Sequence, residues 1–323
     1  MKRRRFLFWT VAALFLIALS PLAAAQDFPS KPIKFIVPYP GGVPDYVARI
    51  LGQLMSGPLG QPIVVESVPG ASGQIAVQKL IHSAPDGYSL VFADAAQWAI
   101  VPAMRPGVYD PVKDMLPVGL AVTSTLYIAV TDTFPAKSLQ ELIAIAKAKP
   151  GTLSYASSGV GSLHHLFMES FKAAMGIDIL HVPYKGTSQA MVGFLGGEIP
   201  IAVGGLLTLQ GQAKEGKVRL LSTATKERSR LTPDVPSMSD AGAPQVDFPA
   251  EMGFFVPART PKSVIDKLTA ALASAVNNPD FVAKIGARGL EATYGTPEQL
   301  GEIVRKEGPK YVRALELSGF KPQ

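Results

Sequence analysis

Four short segments of the chain place glycine among other small residues where an expected strand gives way to an expected helix. They cover residues 40–42, 70–73, 157–162 and 186–188. A helix N-terminus presents unpaired amide N–H groups and a positive dipole end, so it binds carboxylate or phosphate. Glycine lets the backbone approach a ligand closely, and Ser or Thr adds a hydroxyl donor. The pattern therefore predicts a small-anion site, although ordinary turn and capping chemistry uses the same residues.

Hydroxyl-bearing candidates for contacting such an anion lie in or beside three of these segments. None of the four segments contains arginine, so amide N–H groups and hydroxyls would hold the anion. The candidate ligand-binding residues of this type are Ser72, Ser157, Ser162, Tyr184 and Thr187.

Asp94 is a further candidate, because it directly follows an expected strand over residues 89–93. A carboxylate beside an anion site is unfavourable unless it meets a ligand amine or hydroxyl, a lysine, or a backbone N–H. A turn-capping aspartate and a ligand-contacting aspartate therefore both remain open. Trp98 could stack on a ligand ring, but a place in the core is the favoured interpretation.

Possible metal ligands and catalytic groups form only weak patterns. His164, His165, Glu169 and His181 are the best metal-binding combination, but a helix-start histidine and a surface ion pair are favoured for them. The chain has no cysteine, no H-E-x-x-H and no G-x-S-x-G, and G-V-G at 159–161 lacks the third glycine of a dinucleotide fingerprint. We therefore expect a protein that binds no metal and no cofactor and is not an enzyme. The alternative is an exported hydrolase of α/β fold.

Expected strands alternate with expected helices along the chain, which indicates an α/β fold with mostly parallel sheets. The 323 residues suggest two domains, and 47% apolar against 17% charged residues excludes a disordered chain. No linker is evident, so we expect two crossing segments, near residues 121–127 and 247–255. Domain 1 would comprise residues 26–123 plus 249–323, and domain 2 residues 124–248. Each domain then contributes two of the glycine-containing segments to a ligand cleft between them.

The N-terminus has the pattern of a signal peptide over residues 1–25. Four basic residues precede an uncharged run over 6–19, and A-A-A at 23–25 is a cleavage site. Cleavage after Ala25 would lower the net charge from +6 to +2, so the basic balance does not indicate nucleic acid. Export without cysteine suggests a periplasm. The alternatives are an uncleaved membrane anchor and, for R-R-R-F-L at 3–7, twin-arginine export instead of general secretion.

Eight motifs in one order resemble the Bug family, the extracytoplasmic solute receptors of tripartite tricarboxylate transporters. The resemblance spans nearly the whole mature chain. The motifs are P-Y-P-G-G-V-P-D-Y-V-A-R at 38–49, L-G-Q-P-I-V-V-E at 59–66, P-G-A at 69–71, Y-D-P-V-K-D at 109–114, G-V-G-S-x-x-H-L at 159–166, H-V-P-Y-K-G at 181–186, L-G-G at 195–197 and F-V-P-A at 255–258.

The resemblance implies a two-domain periplasmic binding protein of type II-like fold that closes on a small carboxylate. The ligand would be a di- or tricarboxylate, an acidic amino acid or an aromatic acid, held by amides, hydroxyls and bridging waters. It would serve the membrane subunits of a tripartite tricarboxylate-type transporter, with the receptor a monomer. A sensory receptor is the alternative. Carried over from the family, the ligand-contacting residues are Tyr39, Gly41, Gly42, Asp45, Gly161, Ser162 and His165.

The chain departs from the family pattern at three places where ligand identity would differ. Ser67 stands where the family usually has asparagine, and Asp94 stands where small neutral residues are commoner. The segment over 191–194 lacks an aspartate that the family often places there. The resemblance therefore does not predict which carboxylate binds.

Overall fold

A computed structural model of the chain describes residues 28–320, which form two β-sheets flanked by helices. The expected signal peptide lies outside the described residues. The strands are β1 (Ile33–Val37), β2 (Ile63–Ser67), β3 (Ser89–Asp94), β4 (Met115–Ser124), β5 (Leu126–Thr131), β6 (Ser154–Ser157), β7 (Leu180–Pro183), β8 (Ile201–Gly205), β9 (Val218–Thr223), β10 (Ala250–Pro257) and β11 (Glu291–Gly295).

The helices alternate with these strands, as the sequence predicts. They are α1 (Val43–Leu59), α2 (Gln74–Ile81), α3 (Val101–Met104), α4 (Leu139–Ala148), α5 (Leu163–Met175), α6 (Thr187–Leu195), α7 (Leu206–Lys214), α8 (Lys262–Val276), α9 (Pro279–Gly286) and α10 (Pro297–Leu317). A short 3-10 turn at Ala71–Gly73 precedes α2, and a π-helical turn at Ala96–Ile100 precedes α3.

The two sheets combine parallel and antiparallel pairs. The first has the order β11-β4-β10-β3-β1-β2 and the second β7-β6-β8-β5-β9. Strands β1 to β3 pair in parallel, as do β6 to β8, in the manner of strand–helix–strand units. The α/β class is thereby confirmed.

The sequence predicts mostly parallel sheets, but the structure contains more antiparallel strand pairs than that prediction implies. Strand β10 lies between β3 and β4 and is antiparallel to both, and β11 is antiparallel to β4. Strand β5 is likewise antiparallel to β8 and β9. Each antiparallel pair includes a strand that adjoins or follows a passage between the sheets. Since such a passage needs no crossover helix, it does not impose a parallel pair.

Local sequence explains where the elements near the cleft begin and end. Helix α1 has Pro44 in its first turn and buries Val47, Leu51 and Met55 at helical spacing. It ends at Gly60, whose φ of +66° suits glycine. Helix α4 begins at Ser138, whose side chain accepts a hydrogen bond from the amide of Glu141. The start at Ser138 matches the sequence prediction, whereas α1 continues through Gly57 and Pro58, where the sequence predicts its end.

The chain passes between the sheets twice. It leaves β4 at Ser124 and begins β5 at Leu126, and it returns between the end of β9 at Thr223 and the start of β10 at Ala250. The first passage lies within the expected crossing segment near residues 121–127, and the second, longer passage ends within the one expected near residues 247–255. The exact domain boundaries at residues 123/124 and 248/249 stay a prediction. Among residues 28–320, no helix is both long and apolar enough to cross a membrane.

Candidate functional site

A cavity of about 560 Å³ receives residues from both sheets and from the strands that cross between them. This volume lies within the range of roughly 300–1,000 Å³ that is typical of small-molecule sites. We call it the cleft cavity. Its lining residues are Tyr39, Gly42, Val43, Pro44, Ser72, Asp94, Ala95, Ala96, Ile100, Met104, Ser124, Leu126, Ser158, Val160, Gly161, Ser162, Leu163, His164, Gly186, Thr187, Ala250 and Met252.

Two helices present uncapped N-termini to the cleft cavity. Helix α1 begins after Gly42 and helix α6 begins after Gly186, and neither has a side-chain hydrogen bond that caps its first turn. Residues at both helix starts line the cavity. Since the first amides of a helix lack intrahelical partners, these two starts offer N–H donors to an anion from opposite sheets.

A buried glutamine joins three parts of the first-sheet wall. The Gln97 side chain donates from Nε2 to the Tyr39 hydroxyl, at 2.8 Å, and to the Ser72 carbonyl, at 2.9 Å. Its Oε1 accepts from the amide of Asp94 at 2.8 Å. A Cβ at Gly73 would lie 2.5 Å from Gln97 Nε2, so only glycine fits beside this side chain. Gln97 therefore fixes the relative positions of three residues that line the cavity.

Asp94 ends β3 and is the one acidic residue that lines the cleft cavity. Its Oδ1 accepts a hydrogen bond from the amide of Ala96 at 2.8 Å, so it does cap the π-helical turn. Burial raises the pKa of the Asp94 carboxyl to about 6. Among residues 28–320, no lysine or arginine lines the cavity to offset that effect.

The second-sheet wall contains the start of α5. Ser162 is the N-cap, and its Oγ accepts from the amide of His165 at 3.3 Å. Gly161 has a φ of +74°, and a Cβ there would lie 2.8 Å from Met104 Sδ. The amide of Gly161 donates to Nδ1 of His165 at 3.1 Å. The backbone conformation thus favours glycine at this point of the wall.

Ser158 and His164 form a hydrogen-bonded pair in the same wall. The Ser158 Oγ lies 2.7 Å from Nδ1 of His164. Burial lowers the pKa of the His164 imidazole to about 4, so it is neutral at physiological pH. Both residues line the cleft cavity and were not among the ligand-binding residues expected from the sequence.

The cleft cavity brings together seven of the twelve residues that the sequence singled out. They come from all four glycine-containing segments and from the end of β3, although these are far apart in the chain. These seven residues are Tyr39, Gly42, Ser72, Asp94, Gly161, Ser162 and Thr187.

The other five residues lie outside the cavity lining and support the loops around it. Gly41 forms the turn before α1, with a φ of +70°. Asp45 accepts two hydrogen bonds from Arg49, at 3.0 and 3.1 Å, within α1. Ser157 is buried and its Oγ lies 2.6 Å from Nε2 of His181. His165 stacks on His181, with ring centroids 3.9 Å apart. The Tyr184 ring packs over Gly193.

Several lining residues had no signal in the sequence. Met104 follows the π-helical turn, which propensity alone does not predict. Ser124, Leu126, Ala250 and Met252 lie at the two passages between the sheets. Alternation along a strand would show which residues of β4 share a face, but the sequence does not say which face meets a ligand.

The possible metal-binding residues are engaged in other contacts. Glu169 accepts from the Tyr155 hydroxyl at 2.8 Å and from Lys172 at 2.9 Å, and His165 and His181 stack as described. Within residues 28–320, no group of three His, Cys, Asp or Glu side chains is placed to hold a metal ion. Trp98 is buried and packs against Phe255, which confirms its place in the core.

A second cavity, of about 590 Å³, lies against the opposite face of the β4–β5 passage. It is lined by Thr123 and Thr125, whereas Ser124 and Leu126 line the cleft cavity. Its wall carries charges of both signs, and Arg228 is already paired with Asp240 at 2.8 Å. It contains no helix N-terminus among its lining residues, so the cleft cavity is the better candidate for an anion site.

Comparison with known proteins identifies the family of this chain. A family model described as the tripartite tricarboxylate transporter family receptor matches residues 47–319. The solved structure of the periplasmic binding protein BugD is 30% identical, with a TM-score of 0.76 over 92% of this chain and 100% of that chain.

Two further solved structures were determined with carboxylates. An R. palustris protein with adipate is 26% identical, with a TM-score of 0.79, and covers 92% of this chain and 100% of its own. MatC from Rhodopseudomonas palustris, with bound malate, is 29% identical, with a TM-score of 0.75, over 89% of this chain and 100% of its own. Because the family model covers most of the sequence, the chain belongs to the tripartite tricarboxylate transporter receptor family, and its resemblance to the Bug receptors is confirmed.

Proposed function

We propose that the chain is a periplasmic receptor that captures one small carboxylate in the cleft cavity. The observation that carries the proposal is the pair of uncapped helix N-termini, α1 and α6, that reach this cavity from opposite sheets. With no lysine or arginine in the lining, amide N–H groups and hydroxyls are the donors available to an anion. The relatives solved with adipate and malate support a carboxylate as the ligand.

Lining residues from both sheets offer groups that can bind the ligand. Tyr39, Gly42 and Ser72 offer hydroxyl and backbone groups from the first sheet, and Ser162 and Thr187 do so from the second. Gly161 leaves the room that a ligand needs beside Met104. Gly41, Asp45, Ser157, His165 and Tyr184 act through the loops that they hold in place, or through bridging waters.

Membership of the family supports a further part of the proposal, that the receptor delivers its ligand to a membrane transporter. The partners are the membrane subunits of a tripartite tricarboxylate-type transporter, and the receptor works as a monomer. Export removes the signal peptide after Ala25, so the mature chain begins at Gln26. Mass spectrometry of periplasmic protein tests this step, and an intact Met1 in that fraction would contradict it.

The Ser158–His164 pair is the one observation that favours a hydrolase instead. A Ser–His nucleophile needs a base with a pKa near the working pH and a third group that orients the imidazole. Here the pKa of His164 is lowered to about 4, and within residues 28–320 no carboxylate bonds to its second ring nitrogen. We propose that the pair is structural and that bound ligands leave unchanged. Incubation with acyl esters should release no product, and turnover that Ser158→Ala abolishes would reverse this assignment.

A thermal-shift screen of mono-, di- and tricarboxylates, with aromatic acids included, tests the proposed function. A ligand that binds the folded state raises its stability by about 2.7 kcal/mol at a hundredfold excess over Kd. At least one carboxylate should raise the Tm, while the corresponding primary amide should not. A screen in which no carboxylate raises the Tm would overturn the proposal.

A further inference from the structure

Asp94 is a carboxylate without a counter-ion in a cavity that is otherwise suited to anions. Its Oδ1 accepts from the Ala96 amide. Within residues 28–320, Asp94 forms no ion pair and its second oxygen accepts no hydrogen bond, while no lysine or arginine lines the cavity. The capping hydrogen bond alone does not explain why this residue is charged, because an uncharged asparagine would accept the same hydrogen bond. The free oxygen is therefore available to a donor that the protein itself does not supply.

Asp94 and the start of α6 belong to different sheets. Asp94 lies at the end of β3 in the first sheet, while Gly186 and Thr187 belong to the second. A ligand that places its carboxylate at the second-sheet helix starts would direct its other end towards β3. If that end were a second carboxylate, two like charges would meet in a mostly apolar cavity, which is costly.

We propose that Asp94 selects ligands that carry an ammonium group in addition to their carboxylate, so that the receptor takes amino-carboxylates in preference to dicarboxylates. This inference rests on the proposed function. The carboxylate lies at the second-sheet helix starts, and the ammonium donates to the free oxygen of Asp94. Gln97 is a positioning residue for this contact, because its Oε1 accepts from the Asp94 amide while its Nε2 bonds to Tyr39.

The test compares ligands that are matched in length and differ at one end. Isothermal titration would use propionate, butyrate, valerate and hexanoate, together with the dicarboxylates and the ω-amino acids of the same carbon number. Wild-type protein should bind the ω-amino acid of the best length about tenfold to a hundredfold more tightly than the dicarboxylate, as expected for one hydrogen bond between charged groups. Asp94→Asn should cancel this preference, because it keeps the cap on Ala96 and removes only the charge.

The pH dependence of the binding affinity is a second measurement, and it should have opposite signs for ω-amino acids and for dicarboxylates. Asp94 interacts with Tyr39, Tyr109 and Tyr311, whose phenols stay neutral because burial raises their pKa, and the pKa of His164 is about 4. As Asp94 ionises between about pH 5 and pH 7.5, affinity for the ω-amino acid should rise and affinity for the dicarboxylate should fall. Both trends should disappear in Asp94→Asn.

The outcomes separate this inference from the proposed function. If dicarboxylates bind wild-type protein at least as tightly as ω-amino acids, or if Asp94→Asn leaves the ratio unchanged, the assignment of Asp94 is wrong and the receptor function stands. If no carboxylate of the series binds, and none of the wider thermal-shift screen does, the proposed function fails and this inference fails with it. Asp266→Asn serves as the control, because it removes an exposed acidic group, paired with Lys262, that lies outside the cavity lining.

Discussion

Ser162 has two tasks, and they can be separated by mutation. Its Oγ accepts the His165 amide as the N-cap of α5, while its hydroxyl hydrogen remains available to a ligand in the cleft cavity. A hydrogen bond to a charged group contributes about 1.5–3 kcal/mol. Ser162→Ala should therefore weaken binding of every carboxylate by about tenfold to a hundredfold, as measured by isothermal titration.

Ser138→Ala is the matched control for that experiment. Ser138 caps α4 through the amide of Glu141, just as Ser162 caps α5, but it does not line the cavity. Both variants should lose about 1 kcal/mol of stability through the missing cap. If the two variants bind equally well, the hydroxyl of Ser162 does not hold the carboxylate.

Asp94 should reduce the stability of the unliganded protein at neutral pH. Its folded-state pKa of about 6 lies above the ordinary value of 3.8, so its contribution is favourable at low pH and is lost as the pH rises through 6. One pKa unit corresponds to about 1.4 kcal/mol, which sets an upper limit of about 3 kcal/mol for this effect. Asp94→Asn should raise the Tm at pH 7.5 and change it little at pH 4.

Asp240→Asn should instead lower the Tm at pH 7.5, since hydrogen bonds from Arg228 and Ser237 hold the pKa of the Asp240 carboxyl well below its ordinary value. Thermal unfolding of both variants at the two pH values checks the contrast. If Asp94→Asn destabilises the protein at pH 7.5 as Asp240→Asn does, the Asp94 carboxylate is stabilised by a charge partner and the expected sign is wrong.

Single residues also show where sequence reasoning reaches its limit. The glycine-containing segments predict loops that the structure places around the cleft cavity, but the direction of each side chain depends on packing. Asp45 follows Gly42 by three residues and yet turns to Arg49, whereas Gly42 lines the cavity. Gln97 could not be selected from the sequence, because its role depends on Tyr39 and Ser72, which lie 58 and 25 residues away in the chain.

Among the elements, the start of α5 depends on two stacked histidines that must be neutral. His165 accepts the Gly161 amide at Nδ1 and stacks on His181. Burial lowers the pKa of each imidazole to about 4, with electrostatic repulsion from neighbouring cations and, for His181, from His165 adding to it. Since these pKa values lie below the ordinary value of 6.5, the stabilisation by the two neutral imidazoles is complete above about pH 6.5. It is lost as the pH falls through 4.

His165→Asn should flatten this part of the pH profile. Asparagine keeps an oxygen that accepts the Gly161 amide, but it cannot be protonated there. Between pH 7 and pH 4, wild-type protein should lose roughly 2–3 kcal/mol more stability than the variant, from a shift of about two pKa units. Thermal or denaturant unfolding at several pH values measures the difference. Parallel pH profiles would show that folding does not lower the pKa of the His165 imidazole.

Element types and ends were more predictable than the relations between elements. Ser138 marks a helix start through local chemistry, and the structure has it there, although α1 ends at Gly60 and not at the expected Gly57 and Pro58. The antiparallel placement of β10 between β3 and β4 joins residues more than a hundred positions apart in the chain. No local pattern in Ala250–Pro257 indicates those neighbours, so pairing direction could not be read from the sequence.

For the whole molecule, two sheets joined by two passages should move relative to each other when a ligand bridges them. The expected domains, residues 26–123 with 249–323 and residues 124–248, would hinge near Thr125 and residues 247–250. Small-angle scattering should then give a smaller radius of gyration with a saturating ligand than without one. An unchanged radius with a ligand whose binding has been confirmed would argue against closure.

The most direct test of a carboxylate bound in the cleft cavity is to fill that cavity and measure binding. Thr187 lines the cavity at the start of α6, whereas its exposed neighbour Ser188 does not. For the carboxylate that raises the Tm most, isothermal titration should give one site per chain in wild-type protein and in Ser188→Trp, and no binding in Thr187→Trp. Equal binding by Thr187→Trp and wild-type protein would contradict the account, because the ligand would then lie elsewhere.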